Sequence, residues 1–360
     1  MTEGKTPGPH WRLDWPTSRG RRVASANLKT QVEDFQVDEI LDFFPAQSDA
    51  QAVTGSGEHL CLRLEKSGDN TEFVARELAR MSGCRAFDVG FCGLKDRHAV
   101  TRQWFSIYWP GSEAGDPEYI ARVAERWQVA GAQRFSRKLR RGDHQGNRFI
   151  ITLRNVRGSR EQLDEALVQL KQSGAPNYFG PQRFGHDGNN LDRAASMDPN
   201  AMDSRGRRGK GKKRGGAAAS KNVLYFSAAR SWIFNEILAR RVDDGNWATP
   251  LDGEPGVAAD PEVVTGPLWG DGGTAATGLQ AALERQVAEQ APELLKLFST
   301  TRMKPERRPL VARPDDLTWE WLDLDCLQVA FSLTPGQYAT AVLSDLFELE
   351  DMSLGQHKKR

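Results

Sequence analysis

The sequence predicts an α+β fold on a mixed or antiparallel sheet, with a second, mostly helical module inserted into it. Three observations point there. Segments that alternate apolar and polar side chains, Asp34 to Ile40 and His59 to Leu64, are interleaved with segments of helical period, such as Val74, Leu78 and Met81. A strand-like stretch, Leu327 to Leu333, returns after a long helical interval, so the sheet-forming chain reads as discontinuous. The 360 residues, 39% of them hydrophobic, exceed the about 250–300 residues that a single core usually organises.

Each element follows from local chemistry. Residues 1–28 are rich in Pro, Gly, Arg and Trp and read as a flexible extension. Asn70 is placed to cap a helix that Gly83 stops. Val89 and Phe91 form a short strand and Gln103 to Trp109 a second, which puts Asp96 in the turn joining them. Phe149 to Leu153 is another strand, followed by a helix with Leu163, Ala166, Leu167 and Leu170 inward and Gly174 at its end. The inserted module opens on a helix carrying Trp232, Ile233, Ile237 and Leu238. It continues through a Gly-rich turn, Thr265 to Gly270, and a helical stretch from Leu279 to Leu297. Beyond Leu333, Pro335-Gly336 begins a helix with Ala339, Val342, Leu343 and Leu346 at helical spacing. The expected domains are 29–200 with 318–360, and an insertion at 201–317. Residues 205–216 form a flexible segment of seven cations and no anion.

The net charge is only +1, yet residues 131–241 carry +14 and residues 242–300 carry −8. A long basic stretch in a nearly neutral protein suits a phosphate-backbone partner and disfavours a small neutral metabolite as the only substrate. No window approaches the about 18 apolar residues of a membrane span, and nothing reads as a secretory signal, so the expected address is the cytoplasm. The four cysteines lack CxxC spacing and the six histidines are scattered. Reduced thiols and no metal are therefore expected.

Two segments carry chemistry. Gly93-Leu94-Lys95-Asp96-Arg97-His98-Ala99-Val100-Thr101 sets one carboxylate among cations at the foot of an aromatic strand. On its own, Asp96 reads either as a structural ion pair or as a nucleophile. His98 reads as a hydrogen-bonded structural histidine. The second segment, Pro176-Asn177-Tyr178-Phe179-Gly180-Pro181-Gln182-Arg183-Phe184-Gly185, alternates aromatics, amides and one arginine between glycines. That composition suits an unstacked nucleobase, or an aromatic turn that plugs a core.

Both segments resemble the two signature motifs of the TruD family of tRNA pseudouridine synthases. Weaker matches follow in order: Glu33-Asp34-Phe35, Gly57-Glu58-His59-Leu60, Asn70 to Ala75, Leu224 to Ser231 and Phe331 to Thr340. The similarity spans nearly the whole chain from Lys29 onward. The resemblance implies a pseudouridine synthase fold with the family's inserted domain. It also implies isomerisation of a flipped-out uridine in tRNA, by family habit uridine-13 in the D-arm, without metal or organic cofactor. It makes Asp96 the catalytic aspartate, with Lys29 and Phe35 near the active site. Asn177 and Phe179 match the base-contacting loop, and Tyr338 an aromatic facing the substrate. The long N-terminal extension, the basic run at 205–214 and Pro181 depart from the pattern.

The reaction breaks the uridine N1–C1′ bond, turns the uracil, rejoins it through C5 and releases the C5 proton, so atoms balance with no redox step. One ionised aspartate serves either by attacking C1′ or by taking a proton from C2′. A cation from Lys29, Lys95 or Arg97 would keep it ionised. Two other readings compete, a non-catalytic RNA-binding protein and a hydrolase using Asp96 with His98. With no heptads or long exposed apolar strip, a monomer is expected.

Overall fold

The computed structural model describes residues 11–44, 53–198, 216–256, 263–299 and 303–354, with side chains from residue 222 onward in the helix that starts at Gly216. The basic run at 205–214 lies outside the described residues. The chain forms two compact units, each assembled from separate stretches.

The first unit comprises Val23–Lys171, Pro314–Gly336 and Phe347–Arg360. It is built on an 11-stranded mixed sheet, which bears out the α+β class. The long strand Gly146–Gly158 is its hub. Antiparallel to it run Phe35–Ile40 on one side and Cys326–Leu333 on the other, with Phe35 opposite Ile151 and Val329 opposite Ile151 as well. Phe35–Ile40 in turn runs parallel to Val100–Tyr108, which pairs with His59–Lys66. The late strand therefore does return to the first sheet.

The helix Thr71–Ser82 forms where the sequence places it: the Asn70 side chain accepts from the Phe73 N–H at 2.8 Å, and Gly83 ends it at φ 78°. It packs with Asp116–Ala124 over Leu60, Leu62, Leu64, Phe105 and Ile107, all fully buried. Cys61 and Trp104 point to the opposite face with Phe44 and Leu139, so the strand His59–Lys66 is covered on both sides rather than half-buried.

Gln128–Phe135 is a strand that alternation does not announce. Its inward Arg134 is only 3% exposed and grips the buried Asp116 by two hydrogen bonds, 2.5 and 2.8 Å. A satisfied ion pair there looks like a surface charge in the sequence.

The second unit comprises Met1–Arg22, Gln172–Arg313 and Gln337–Leu346. Its spine is the helix Gly216–Asp243, with Phe226, Ile233, Phe234, Ile237 and Leu238 buried. Residues 11–28 correct the expected loose extension. Trp11 and Trp15 are buried in this unit and donate to Asp192 and Glu236 at 2.8 and 3.0 Å, while Ala24–Leu28 is a strand of the large sheet. Thr265–Leu268, expected as a turn, is a strand antiparallel to Glu306–Pro309. Gly266 is needed because a Cβ there would meet the Leu310 side chain at 2.7 Å and the Phe234 ring at 3.0 Å. The unit begins at Gln172 and ends its main stretch at Arg313, whereas the expected insertion runs over 201–317. Trp11, Phe179, Phe184 and Leu191 share the apolar core of the long helix and draw these flanking segments into it. Among the described residues no helix is long and apolar enough to cross a membrane.

Candidate active site

The expected site residues fall into two groups, one in each unit. Lys29, Phe35 and Asp96 belong to the sheet unit; Asn177, Phe179 and Tyr338 belong to the helical one.

In the sheet unit Asp96 sits in the turn between Gly90–Phe91 and Val100–Tyr108. Polar contacts hold this turn from below. The Gln103 amide donates to the Gly93 carbonyl at 3.2 Å, and the Thr71 hydroxyl bonds Gln103 at 2.8 Å and receives the Lys95 N–H at 3.0 Å. The Gly68 N–H donates to the Arg97 carbonyl at 3.0 Å. Lys95 turns inward, where its ammonium pairs with Glu39 at 2.7 Å, the two side chains 5% and 0% exposed. The Glu39 carboxylate also receives the Trp104 N–H at 3.2 Å. Lys95 is thus an anchor of the turn, and of the three candidate cations Lys29 is the one on Asp96.

Lys29 follows the strand Ala24–Leu28 with φ 55°, a left-handed backbone conformation that ends the strand's extended run. Nζ donates to Asp96 Oδ2 at 2.5 Å and lies 4.8 Å from the centre of the Phe35 ring. The other carboxylate oxygen, Oδ1, accepts the His98 backbone N–H at 2.9 Å. Burial pushes the Asp96 carboxyl up, but the hydrogen bonds from Lys29 and His98 outweigh it and hold the group below the ordinary carboxylate value. Asp96 is therefore a carboxylate throughout the neutral range, half open to solvent and fixed in direction. His98 contributes its main-chain N–H to that carboxylate.

Because burial opposes ionisation and Lys29 favours it, Lys29→Met is expected to move the acidic limb of the rate towards higher pH. The sign follows from the depressed group: its ionised form is favoured above its unfolded value and lost as pH falls through the folded one. A pH series of single-turnover rates checks this, and an acidic limb that stays in place rejects Lys29 as the group holding the charge.

In the helical unit Asn177 is 2% exposed and both ends of its amide are engaged. Nδ2 donates to the Pro309 carbonyl at 2.8 Å and Oδ1 accepts from Arg308 at 2.6 Å. The Arg308 guanidinium lies 4.0 Å above the Phe179 ring centre and 6.0 Å from that of Tyr338. Phe179 is 5% exposed; its backbone is clasped by the Asn235 amide through bonds of 2.8 and 2.9 Å, and Phe234 and Tyr338 flank the ring. Arg183, also near the ring, bonds the Ser227 hydroxyl at 2.8 Å. Burial lowers the Arg308 guanidinium to about 10, with Arg183 acting in the same direction. Asn177 and Phe179 thus support Arg308 rather than presenting a free amide and a bare ring. Tyr338 is half-buried. Arg308, in the unremarkable run Glu306-Arg307-Arg308, gives no local signal of this placement.

Comparisons with known proteins bear on the family and the fold. The family model described as tRNA pseudouridine synthase D (TruD) matches residues 21–192 and 218–346. A Marinobacter nauticus tRNA pseudouridine synthase D is 60% identical over 356 residues, covering 97% of this chain and 98% of that protein. The Cellvibrio japonicus protein of the same name is 40% identical and covers 95% of each. A Methanosarcina mazei protein crystallised under the TruD name superposes with TM-score 0.60 at 20% identity, over 93% of this chain and 96% of that one, which shows the fold. With a matching family model over most of its length and close full-length relatives, the chain belongs to the tRNA pseudouridine synthase D family.

Proposed function

We propose that this enzyme converts uridine-13 in the D-arm of tRNA to pseudouridine, with Asp96 as the catalytic carboxylate and Lys29 as the cation that keeps it charged. The coarser reaction, isomerisation of a tRNA uridine, rests on family membership. The observation that carries the assignment is the Lys29–Asp96 pair: a carboxylate held ionised and directional, yet still 38% exposed, is ready to meet a sugar carbon or its proton. Phe35 completes the apolar wall beneath the ammonium. In the helical unit, the half-buried Tyr338 offers a flat surface for an unstacked base, with Arg308 beside it. Phe179 backs the guanidinium, and Asn177 fixes its rotation. The expected absence of metal and cofactor, the monomeric state and the cytoplasmic address belong to the same proposal.

Incubating the protein with an unmodified tRNA transcript and mapping pseudouridine at single-nucleotide resolution tests it. Modification at uridine-13 alone is the expected result. Product at other uridines overturns the position, and binding without product at any time returns the reading to a non-catalytic RNA-binding protein.

A further inference from the structure

Lys29 faces a second carboxylate, in a segment to which the sequence reading gave no role. The strand Phe347–Asp351 runs parallel to Ala24–Leu28, with Asp351 opposite Leu28. The next residue, Lys29, turned by its positive φ, therefore meets the end of that strand. Asp351 Oδ2 lies 3.7 Å from Lys29 Nζ. The other oxygen, Oδ1, accepts the Ser353 backbone N–H at 3.0 Å and its hydroxyl at 2.6 Å, which fixes the carboxylate's rotation and leaves Oδ2 towards the ammonium.

The charges are arranged unevenly. The Lys29 side chain is 9% exposed, while Asp96 and Asp351 are 38% and 26% exposed. An ammonium has three donors, and its short bond to Asp96 uses one. A buried cation held by a single carboxylate would neutralise that partner as fully as geometry allows. A second anion beside the ammonium offsets part of its field at Asp96.

We propose that Asp351 is a positioning residue for pseudouridine formation, sharing the Lys29 ammonium with Asp96 so that the cation is held in place while Asp96 stays incompletely neutralised and reactive. This rests on the reading of Asp96 as the catalytic carboxylate. It goes beyond that reading in giving the final strand of the sheet a part in the chemistry. The plain structural alternative is that Asp351 only ends its strand, through the turn with Ser353.

Asp351→Asn separates the two, because the amide oxygen still accepts from Ser353 while the charge is gone. Single-turnover and steady-state rates on a tRNA transcript are compared with thermal unfolding of the same variants. The expected result is a fall in kcat of about five-fold, the scale of one partly exposed ion pair, with KM and the unfolding midpoint unchanged. Asp351→Glu is expected to restore most of the loss. In a Lys29→Met background Asp351→Asn is expected to cost nothing more, because the residue acts through that ammonium.

An unchanged kcat, a loss carried by KM, or losses that multiply in the double variant each overturn the proposal. Should Asp351→Asn fail to fold, Ser353→Ala keeps the charge and the backbone N–H bond but removes the hydroxyl bond that helps fix the carboxylate. It must then show a kcat-specific loss that vanishes in the Lys29→Met background, and no such loss overturns the proposal equally. Asp96→Asn, assayed alongside, keeps the two readings apart. An active Asp96→Asn enzyme removes the catalytic assignment itself, whereas an inactive one with uncoupled Asp351 removes only the present inference.

Discussion

Asp96→Asn is expected to reduce tritium release from 5-tritiated uridine in tRNA by at least about a thousand-fold, the scale of losing a covalent or proton-abstracting group. The substitution is nearly isosteric, and the new amide still offers an oxygen to the His98 N–H, which holds Asp96 Oδ1 at 2.9 Å. What it removes is the negative charge facing Lys29 at 2.5 Å. Neither attack on C1′ nor removal of a C2′ proton is open to a neutral amide. The fold is expected to survive, because the substituted side chain is itself 38% exposed and Asp351 remains as a counter-ion for the buried Lys29. Binding of tRNA is accordingly expected to change little, so the loss falls on the chemical step. Near-normal tritium release from this variant would remove Asp96 from the mechanism and revive the structural ion-pair reading.

The second large effect is on stability. Lys95→Met is expected to destabilise the protein by about 3–5 kcal/mol, because it strands a buried charge. Glu39 is 0% exposed and its carboxylate is divided between the Lys95 ammonium and the Trp104 N–H. With Met at position 95 that carboxylate keeps one neutral donor in an apolar setting and must take up a proton or distort the strand. Adding Glu39→Gln to Lys95→Met is expected to recover a large share of the loss, since the stranded charge is then gone. Urea unfolding of the two variants measures both. A single variant as stable as the natural protein would mean that water reaches Glu39 and that the turn is not anchored from below. Since Lys95 immediately precedes Asp96, the single variant is also expected to lose activity at temperatures where it remains folded.

Much of the scaffold was legible because its signals are local. Asn70 and Gly83 bracket the first long helix by side-chain and backbone chemistry that acts within a few residues, and Leu163, Ala166, Leu167 and Leu170 bury the face that their spacing announces. Gln128–Phe135 was missed because its inward residue is Arg134, neutralised by an aspartate 18 residues earlier that no window on the strand reveals. Thr265–Leu268 was missed because Gly and Pro suggest a turn, whereas here the small residue makes room for Leu310 and Phe234.

The site divides in the same way. The segment around Asp96 stood out through its crowded charge, but which cation serves it was open. Lys29, 67 residues away, takes that place and neighbouring Lys95 does not, because the strand pairing decides and sequence proximity does not. Asn177 and Phe179 were recognisable from their motif, but Arg308, which occupies the amide of one and the face of the other, is separated from Asn177 by 131 residues. Asp351 carries no signal beyond being one acid among several in Phe347-Glu348-Leu349-Glu350-Asp351. Partners set by tertiary register are invisible to pattern reading.

The parallel pairing of Ala24–Leu28 with Phe347–Asp351 joins segments more than three hundred residues apart. During synthesis on the ribosome the first of them emerges early and must wait for the second until almost all of the intervening chain has been translated. A nascent chain therefore carries Lys29 and Asp96 before Asp351 can join them. Closure of this side of the sheet is thus a late event, set by the position of the last described strand in the chain.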